Sequence, residues 1–537
     1  MQKPLISVLS YHDRTKHQFQ RYAAGPGGLD WATQPEAFRW YSGSPQLPLP
    51  LLEDAAPSAR YVEIYQTGAI VPRPCNLQNI AALLELAFGL SASKQYGANQ
   101  WALRCNPSSG NLHPTEAYVV AQGCVGLVDG VHHYLSREHV LEQRCRFDAR
   151  EANPPQTSFL LGLSSIHWRE AWKYGERAFR YCQHDVGHAI AAARYAAATL
   201  GWQVRVQDDW SDAAIATLLG LDRPQDFADA EPEHPDVMLL VQTAGDCATP
   251  VFKVAPDDRW QGQANRLSPQ HAHDWPVIDE IAHACAKPEI HGVIWQAPDF
   301  PAPLPSACVA RASAIIKQRR SAQAFDGVSG ISAAAFYRML DMTLPRTDFP
   351  PWDVVNWPPR IHLALFVHRV DGLAPGVYLL PRHAPIEQRM RAELSAEFEW
   401  VRAENCPDHL PLYRVVAADA RKAAQALSCH QEIAADGAFS LGMLAEFEGS
   451  VADAPWLYRQ LFWESGILGQ VLYLEAEAAG VRGTGIGCFF DDGVHDVLGI
   501  KGHWLQSLYH FTVGGGLTDT RLETRAPYAH LQRERIS

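Results

Sequence analysis

Three short stretches of this sequence carry groups suited to holding a charged, planar ligand. Arg319, Arg320 and Ser321 place two guanidinium groups and a hydroxyl together, a combination that binds phosphate. Residues 483–487 read GTGIG, and glycine lets a backbone approach a planar group closely. Residues 106–111 read NPSSGN and offer hydrogen-bonding side chains to a heteroaromatic edge or a sugar chain. Each stretch also has an ordinary interpretation, as a solvated basic patch, a tight turn or a polar loop.

The elements that must position these groups occur twice in the chain. Residues 179–201 and 458–480 align without a gap at a constant shift of 279 positions. Apolar side chains surround both copies, which indicates two buried helices rather than amphipathic surface helices. The same shift pairs identical residues, namely Arg180 with Arg459, Gly187 with Gly466, Ala197 with Ala476, Gly201 with Gly480 and Asp212 with Asp491. The sequence therefore predicts two similar halves, each organised around one buried helix.

The order of the other elements predicts an α+β fold for each half. A helix, a strand, a hairpin-like segment, the central helix and a final apolar strand follow one another in both halves. The first half is expected to place its helix near residues 77–90, and the second half near residues 332–342. The expected divisions are an irregular N-terminal wrap at 1–60, a first domain at 61–250, a connector at 251–304 and a second domain at 305–537.

The two halves differ at the three stretches with chemical potential. Residues 65–67, YQT, stand opposite Arg319–Ser321 without a cation, and residues 203–208 stand opposite the glycine-rich stretch without a glycine. The second half has WPPR at 357–360 where the first has its Ser/Asn loop. The cations and glycines therefore belong to one half and the polar loop to the other.

Composition bounds the class of protein. The chain has 537 residues, a formal net charge of −13 and no basic stripe, which argues against nucleic acid as a partner. No signal peptide and no apolar run of membrane-spanning length occur. The 11 cysteines include no CxxC pair and fit reduced thiols better than a disulfide framework. These features predict a soluble, cytoplasmic protein that does not bind membranes.

One histidine pair suggests a metal, but the pattern is incomplete. His184 and His188 are spaced to lie on one face of a helix. No third ligand is evident, and the second copy has Trp463 and Ile467 at these positions. No metal is expected.

Taken in order, several longer motifs resemble the nitroreductase-like flavoenzyme superfamily, in particular its azoline dehydrogenase branch of SagB/ThcOx type. The motifs are YHDRTKH, LRCNPSSGNLHPTEAY, WKYGERAFRYCQHDVGHA, RRSAQAF and FTVGGGLTDTRLETRAPY. The resemblance implies an α+β fold that dimerises through the central helix and holds FMN between two subunits. It also implies that the RRS and glycine-rich stretches come from one subunit and the Pro-Ser-Ser loop from the other.

Applied to this chain, the resemblance implies one FMN site across an intramolecular pseudo-dimer of two tandem domains. The implied cofactor-binding residues are Pro107, Ser108, Ser109, Asn111, Arg319, Arg320, Ser321, Gly483, Thr484, Gly485 and Arg521. The reciprocal site would lack its cations, its glycines and its Ser/Asn loop, so we expect it to be inactive.

The resemblance also implies a catalytic role for Lys173 and Tyr174, because relatives that oxidise azolines carry and use a Lys-Tyr pair here. Aromatising an azoline removes a proton from carbon and passes a hydride to the flavin N5. A phenol whose pKa is lowered by a neighbouring ammonium could accept that proton.

The leading function is therefore an FMN-dependent dehydrogenase that acts on a ring-bearing, azoline-like substrate, expected to be peptide-derived. An NAD(P)H-dependent nitro- or quinone reductase is the first alternative, and a non-catalytic flavin-binding subunit of a modification complex is the second. Enzymes of a peptide-modification pathway are the expected protein partners.

Overall fold

The computed structural model describes residues 2–52, 57–148, 157–243, 259–290 and 295–534. Up to residue 304, the helices are α1 (Gln2–Arg14), α2 (Leu77–Phe88), α3 (His167–Tyr174), α4 (Ala178–Thr199), α5 (Asp212–Leu219) and α6 (Pro276–Ala284). The strands of this part are β1 (Tyr41–Ser42), β2 (Gln46–Pro48), β3 (Leu90–Tyr96), β4 (Asn99–Arg104), β5 (Thr115–Ala121), β6 (Gly130–Leu135), β7 (Val140–Arg146), β8 (Ser158–Ser165), β9 (Gln203–Val206), β10 (His234–Gln242) and β11 (Gln263–Ala264).

The second part of the chain repeats much of this order. Its helices are α7 (Ala312–Gln318), α8 (Ala333–Asp341), α9 (Ala384–Glu393), α10 (Arg421–Leu427), α11 (Ile433–Asp436), α12 (Phe447–Asp453), α13 (Leu457–Ala478), α14 (Asp491–Leu498) and α15 (Ala529–Glu534). Its strands are β12 (Ile331–Ser332), β13 (Ile361–Val367), β14 (Val370–Asp371), β15 (Gly376–Leu380), β16 (Val401–Arg402), β17 (Tyr413–Ala417), β18 (Phe439–Glu446), β19 (Arg482–Ile486), β20 (Leu505–Gly514) and β21 (Glu523–Arg525).

Each half contains a seven-stranded antiparallel sheet, and six of the seven strands follow the same topology; the remaining edge strand is β2, which precedes its sheet in sequence, in the first half and β16, which lies between β15 and β17, in the second. The strand orders are β2-β7-β6-β5-β8-β10-β9 in the first half and β16-β17-β15-β13-β18-β20-β19 in the second. The strand that precedes the central helix lies in the middle of each sheet, and the strand that follows that helix forms one edge. The predicted α+β class and the predicted duplication are confirmed.

The two central helices, α4 and α13, pack against each other at the glycines that the repeat aligns. A Cβ atom on Gly187 would lie 2.2 Å from the Trp463 carbonyl oxygen, and a Cβ atom on Gly466 would lie 2.3 Å from the His184 carbonyl oxygen. Only glycine permits so close a backbone approach at both positions. All of α4 is buried and almost all of α13, as the apolar pattern predicts.

Two ion pairs between the halves follow the same pseudo-twofold relation. Arg180 of α4 contacts Asp491 at 2.8 Å, while its counterpart Arg459 of α13 contacts Asp212, the counterpart of Asp491. In a twofold arrangement, each contact between two residues is repeated between their counterparts. One hydrophobic cluster runs through both halves. The chain is thus an intramolecular pseudo-dimer.

The two ends of the chain cross over to the opposite half. The C-terminal strand β21 joins a three-stranded sheet in the order β21-β3-β4, on the hairpin of the first half. The N-terminal segment begins with helix α1, whose His12 contacts Gln506 and Tyr458 of the second half. Residues 1–60 were expected to be irregular, but Gln2–Arg14 form a helix. The reason is that apolar residues of α1 at helical spacing pack on the core ahead of the Pro/Gly-rich stretch. Among the described residues, no helix is both long and apolar enough to cross a bilayer.

Candidate active site

A cavity of about 750 Å³ lies where the two halves meet, a size within the usual range for cofactor sites. It brings together side chains from both halves that lie more than two hundred positions apart in the sequence. The sequence-predicted residues on its wall are Pro107, Ser108, Ser109, Asn111, Tyr174, Arg319, Arg320, Ser321, Thr484 and Gly485. Gly483, Lys173 and Arg521 are predicted residues that do not line it.

Arg319 and Arg320 form one end of this cavity and are held by backbone carbonyl groups. The Arg319 guanidinium donates to the carbonyl oxygens of Arg104 and Cys105, which belong to the other half. The Arg320 guanidinium donates to the carbonyl oxygens of Lys317, Arg319 and Ser91. Among the described residues, neither guanidinium has a carboxylate within 4.0 Å. Both guanidinium groups are therefore oriented by carbonyl oxygens, and the nearby Glu477 carboxylate accepts the Arg320 backbone N–H rather than pairing with either of them.

Two further cations that the sequence analysis did not select complete this end of the cavity. Lys94 reaches it from β3 and Arg482 from β19. Burial, together with the neighbouring Arg319 and Arg482, lowers the pKa of Arg320 to about 10. Burial lowers the pKa of Lys94 as well, with Arg320 and Arg482 contributing. Mutual repulsion of this kind favours an anionic ligand, whose charge would relieve it.

The Tyr473 hydroxyl links the cationic stretch to the glycine-rich stretch. It accepts a hydrogen bond from the Gly485 N–H at 2.9 Å and lies 2.8 Å from the Ser321 hydroxyl. Its ring lies under Arg319, whose guanidinium carbon is 5.0 Å from the ring centroid. Tyr473 was missed, although comparing the two halves could have found it, because the first half carries Arg194 at this position.

The glycine-rich stretch is a strand and not the tight turn that its composition allows. Residues Arg482–Ile486 form β19, which pairs with β20, and Ala322 donates its N–H to the Gly483 carbonyl oxygen on the other edge. The glycines make room for aromatic rings of the protein itself. A Cβ atom on Gly485 would lie 1.9 Å from the Tyr509 hydroxyl, and one on Gly483 would lie 2.8 Å from the Phe511 ring. The packing of these aromatic rings against the strand backbone therefore requires glycine at both positions, independently of any ligand.

The Ser/Asn loop uses its polar side chains largely to fix its own shape. The Ser109 hydroxyl and N–H both donate to the Asp185 carboxylate, and the Ser108 hydroxyl accepts the His113 N–H at 2.7 Å. The Asn111 amide donates to the Ala102 carbonyl oxygen at 3.0 Å. The loop therefore reaches the cavity as a preorganised surface, anchored by a carboxylate of α4.

Asp185, another residue that the sequence analysis did not select, is expected to make stability depend on pH. Burial raises its pKa to about 7, although hydrogen bonds from Ser108 and Ser109 oppose the rise. Since the unfolded chain ionises this group near 3.8, the folded state holds the extra proton between these values. Stability contributed by this group should therefore fall as pH rises from about 4 to about 7 and then stay level. Urea denaturation should give a free energy of unfolding that falls across this pH range more for the wild type than for Asp185→Asn. A difference in unfolding free energy between the two proteins that does not change with pH would contradict the raised pKa of Asp185.

Lys173 and Tyr174 converge on the Ser/Asn loop from the C-terminal end of α3. A Cβ atom on Gly110 would lie 2.5 Å from the Tyr174 hydroxyl and 3.0 Å from the Lys173 ammonium. Gly175 makes this possible, because its φ of 55° ends α3 and its α-carbon passes close to the Ala24 backbone. The structure therefore brings the predicted pair to the cavity wall, with Tyr174 lining the cavity and Lys173 behind Gly110.

The expected lowering of the Tyr174 pKa is wrong. Burial raises the pKa of this phenol well above its usual value, and the carboxylates of Glu170 and Asp185 and the phenol of Tyr181 raise it further. The sequence showed the adjacent lysine but could not show that two carboxylates from α3 and α4 surround the same hydroxyl. Tyr174 is consequently a protonated phenol in this structure.

Replacing Gly110 by alanine should disrupt the Lys173–Tyr174 arrangement. The added methyl would overlap both head groups, whereas Gly97 has nearly the same φ, 58° against 57°, and nothing within 4 Å of an added Cβ. Gly97→Ala is therefore a matched control for backbone strain, which costs on the order of 1 kcal/mol in each case. We expect catalytic turnover to fall at least about tenfold in Gly110→Ala only. Equal losses in both variants would show that strain, not overlap, is responsible.

Two remaining predicted residues lie outside the cavity lining. Gly483 is in β19 next to the wall, where its carbonyl oxygen binds Ala322. The Arg521 side chain is 73% exposed and paired with Asp519 at 2.8 Å. A cofactor-binding role for Arg521 remains a prediction from the sequence.

Comparison with known proteins gives an extensive structural match. The crystal structure of a protein from Anabaena variabilis, assigned provisionally as a nitroreductase, superimposes with a TM-score of 0.68 at 21% identity, covering 95% of this chain and 99% of the other. The fold is nitroreductase-like. At this level of identity the match establishes the nitroreductase-like fold across nearly the whole chain, both halves included, and not the activity.

Other comparisons cover less of the chain. A protein from Methanocaldococcus jannaschii, also assigned provisionally as a nitroreductase, is 26% identical over 159 residues, or 28% of this chain and 74% of its own length. A chain of the E. coli microcin synthetase McbBCD complex with truncated pro-MccB17 bound is 18% identical over 46% of this chain and 95% of its own, but its TM-score of 0.27 carries no argument. No protein-family profile matches the chain.

The position reciprocal to the cavity in this nitroreductase-like pseudo-dimer is occupied by protein side chains. Tyr65, which corresponds to Arg319, stacks on Phe349 with ring centroids 5.1 Å apart. Arg194, which corresponds to Tyr473, pairs with Asp353 at 2.7 Å. Val204 is buried in β9. These contacts place a stacked ring and an ion-paired arginine where the other side has Arg319 and Tyr473.

Within the part of the chain that the structure describes, one group of three possible metal ligands lies elsewhere, at His362, His383 and Glu446. The Nδ1 atom of His362 accepts the Arg382 N–H, and the Nδ1 atom of His383 accepts the Ile386 N–H. Both neutral rings therefore carry their hydrogen on Nε2, and both Nε2 atoms contact the same Glu446 oxygen at 3.2 and 2.7 Å. The cluster is satisfied as a hydrogen-bonded triad.

Proposed function

We propose that this protein is an FMN-dependent oxidoreductase, most specifically a SagB/ThcOx-type dehydrogenase that oxidises an azoline-like ring. The observation that carries the proposal is the composite cavity itself. Arg319, Arg320 and the glycine-rich strand β19 come from one half, and the Ser/Asn loop, Tyr174 and Lys94 come from the other. This division matches the one that the family resemblance implies for a flavin site between two subunits.

The residues present fit a flavin mononucleotide. Arg319, Arg320, Lys94 and Arg482 supply a cationic end for a phosphate; Arg482 pairs with Glu477, whereas the first two form no ion pair among the described residues. The backbone of β19 and the rings of Tyr473 and Tyr509 line the adjoining wall. A bound flavin would supply an acceptor or donor of hydride, which no amino-acid side chain can be.

The protein's own groups would position the substrate and manage the proton. Tyr174 presents a hydroxyl to the cavity, and Lys173 places a cation beside the same Gly110 position. A proton held at the Tyr174 oxygen can be donated directly, whereas accepting one first requires that proton to leave. The nearby Lys173 ammonium would stabilise the phenolate formed in that event.

The high pKa of Tyr174 also favours a second candidate, an NAD(P)H-dependent nitro- or quinone reductase. Reduction of such substrates consumes protons, and a buried, protonated phenol is suited to donate one. This candidate needs no residue to remove a proton from carbon. Both candidates use the same cavity and differ in the direction of hydride transfer.

The visible spectrum of the purified protein, followed by anaerobic titration with NAD(P)H, separates the candidates. Rapid bleaching of a bound flavin would favour the reductase. A flavin that NAD(P)H leaves oxidised, but that a peptide-derived azoline substrate bleaches, would support the dehydrogenase. Absence of flavin after saturation with FMN would contradict both. Partner enzymes of a peptide-modification pathway remain part of the dehydrogenase proposal, since such a substrate must first be cyclised from a peptide.

We expect one FMN per chain, not two. A symmetric pair of domains would offer two equivalent sites, but here Tyr65, Gln66 and Thr67 stand where a second phosphate would need cations. Burying a phosphate dianion without cationic partners is unfavourable by several kcal/mol. Flavin released by heat, measured against protein by amino-acid analysis, gives the ratio. A value near two would mean that the reciprocal site is active.

A further inference from the structure

Cys429 and Cys488 form a pair of thiols beside the cavity, although 59 positions separate them in the chain. Their sulfur atoms are 2.7 Å apart, so closing the 2.03–2.05 Å bond of a disulfide needs about 0.7 Å of further approach. Cys488 follows the glycine-rich stretch directly and lines the cavity. Both side chains are partly exposed. The proposed oxidoreductase function does not use either thiol.

The surroundings of Cys488 favour its thiolate form. The His17 Nδ1 atom accepts the Ala23 N–H, so the ring hydrogen of a neutral His17 lies on Nε2 and can be donated to the Cys488 sulfur. The contact with Cys429, then His17 and the Arg177 guanidinium lower the pKa of Cys488 to about 5, although burial opposes this. The contact and burial raise the pKa of Cys429. The two thiols are therefore chemically unequal.

We propose that Cys429 and Cys488 are a redox-active dithiol that a small-molecule disulfide oxidises to an intramolecular disulfide at the cavity wall. Cys488 attacks one sulfur of the small disulfide, which forms a mixed disulfide and releases one thiolate. Cys429 then loses its proton and attacks the Cys488 sulfur, which releases the second thiolate. The protein loses two electrons and two protons, and the small disulfide gains them as two thiols.

The chain contains a matched pair for comparison. The sulfur atoms of Cys75 and Cys124 are 3.3 Å apart, but both residues are buried, with 7% and 4% exposure. Proximity is therefore shared by the two pairs, whereas access and a flanking histidine distinguish Cys429 and Cys488. Cys406 offers a second comparison, because it is a partly exposed thiol whose pKa burial raises to about 11.

The test is oxidation of the full-length, reduced protein with oxidised glutathione at neutral pH, quenched with acid and mapped by peptide mass spectrometry. We expect a disulfide between Cys429 and Cys488 that dithiothreitol reverses, with Cys75 and Cys124 still reduced. A disulfide formed equally at both pairs, or at neither, would overturn the proposal. The assay needs no flavin and no turnover, so its result is separate from that of the proposed function.

Two variants test the order of attack. In Cys429→Ser the mixed disulfide should accumulate on Cys488, on the order of one glutathione per chain and at least about tenfold faster than on Cys406. In Cys488→Ser, Cys429 should gain little glutathione. Accumulation on Cys429 in Cys488→Ser, or equal rates at Cys488 and Cys406, would show that Cys488 is not the attacking thiol. Circular dichroism should show that both variants are folded.

Discussion

Replacing Arg319 and Arg320 together by alanine should reduce the flavin content from about one per chain to nearly zero. Both guanidinium groups lie at one end of the cavity and lack a carboxylate partner among the described residues. A phosphate dianion buried there would lose its main counter-charges, at a cost of several kcal/mol. Flavin released by heat after dialysis against FMN, measured against protein, reports the ratio.

Controls must separate charge from folding, because Arg319 also ties the second half to the carbonyl groups of Arg104 and Cys105. Arg319→Lys with Arg320→Lys keeps the charge and should retain part of the binding. Arg389→Ala with Arg421→Ala removes two exposed arginines that have carboxylate partners, and should bind fully. A double alanine variant that remains folded and still holds one FMN would show that the phosphate lies elsewhere.

Lys173→Ala and Tyr174→Phe should each lower turnover about a hundredfold or more while flavin stays bound. The two head groups meet at Gly110, and neither belongs to the cationic end. Tyr174 lines the cavity and can contact a substrate there, whereas Lys173 lies behind Gly110 and would act through Tyr174. The measurement is substrate oxidation under saturating FMN, with flavin content determined on the same samples. Loss of both flavin and turnover would instead indicate a role in cofactor binding.

Tyr96→Phe is a matched control. Because Tyr96 is 52% exposed at the end of β3, its substitution should leave turnover unchanged. The pH profile distinguishes the two proton roles of Tyr174. If the phenol donates a proton, the rate should hold at neutral pH and fall only at high pH, since burial raises its pKa. Full turnover in both variants with a substrate that must lose a carbon-bound proton would contradict the catalytic assignment.

The sequence alone was sufficient for the architecture. The apolar pattern of residues 179–201 and 458–480 predicted two buried helices, and the family resemblance implied that they pack together, as they do at Gly187 and Gly466. Such features are local, since each helix carries its own burial pattern and its own close-approach residue. The asymmetry between the halves was also visible, because it needs only a comparison of aligned positions.

The tertiary structure decided which groups meet. Lys94 joins the cations because β3 pairs with the C-terminal strand β21, and Tyr473 reaches Ser321 because α13 passes beneath it. No periodicity in a single segment records these contacts between distant parts of the chain.

Burial decided the chemical state of the site residues as well. The sequence showed Tyr174 beside a lysine and suggested a lowered pKa, but the folded chain surrounds the phenol with buried carboxyl groups that raise it. Likewise, Cys429 and Cys488 are ordinary thiols in the sequence and become a pair only when the segment between β19 and α14 meets the segment between α10 and α11. The pKa of a group depends on desolvation and on neighbouring charges, and both are properties of the folded chain.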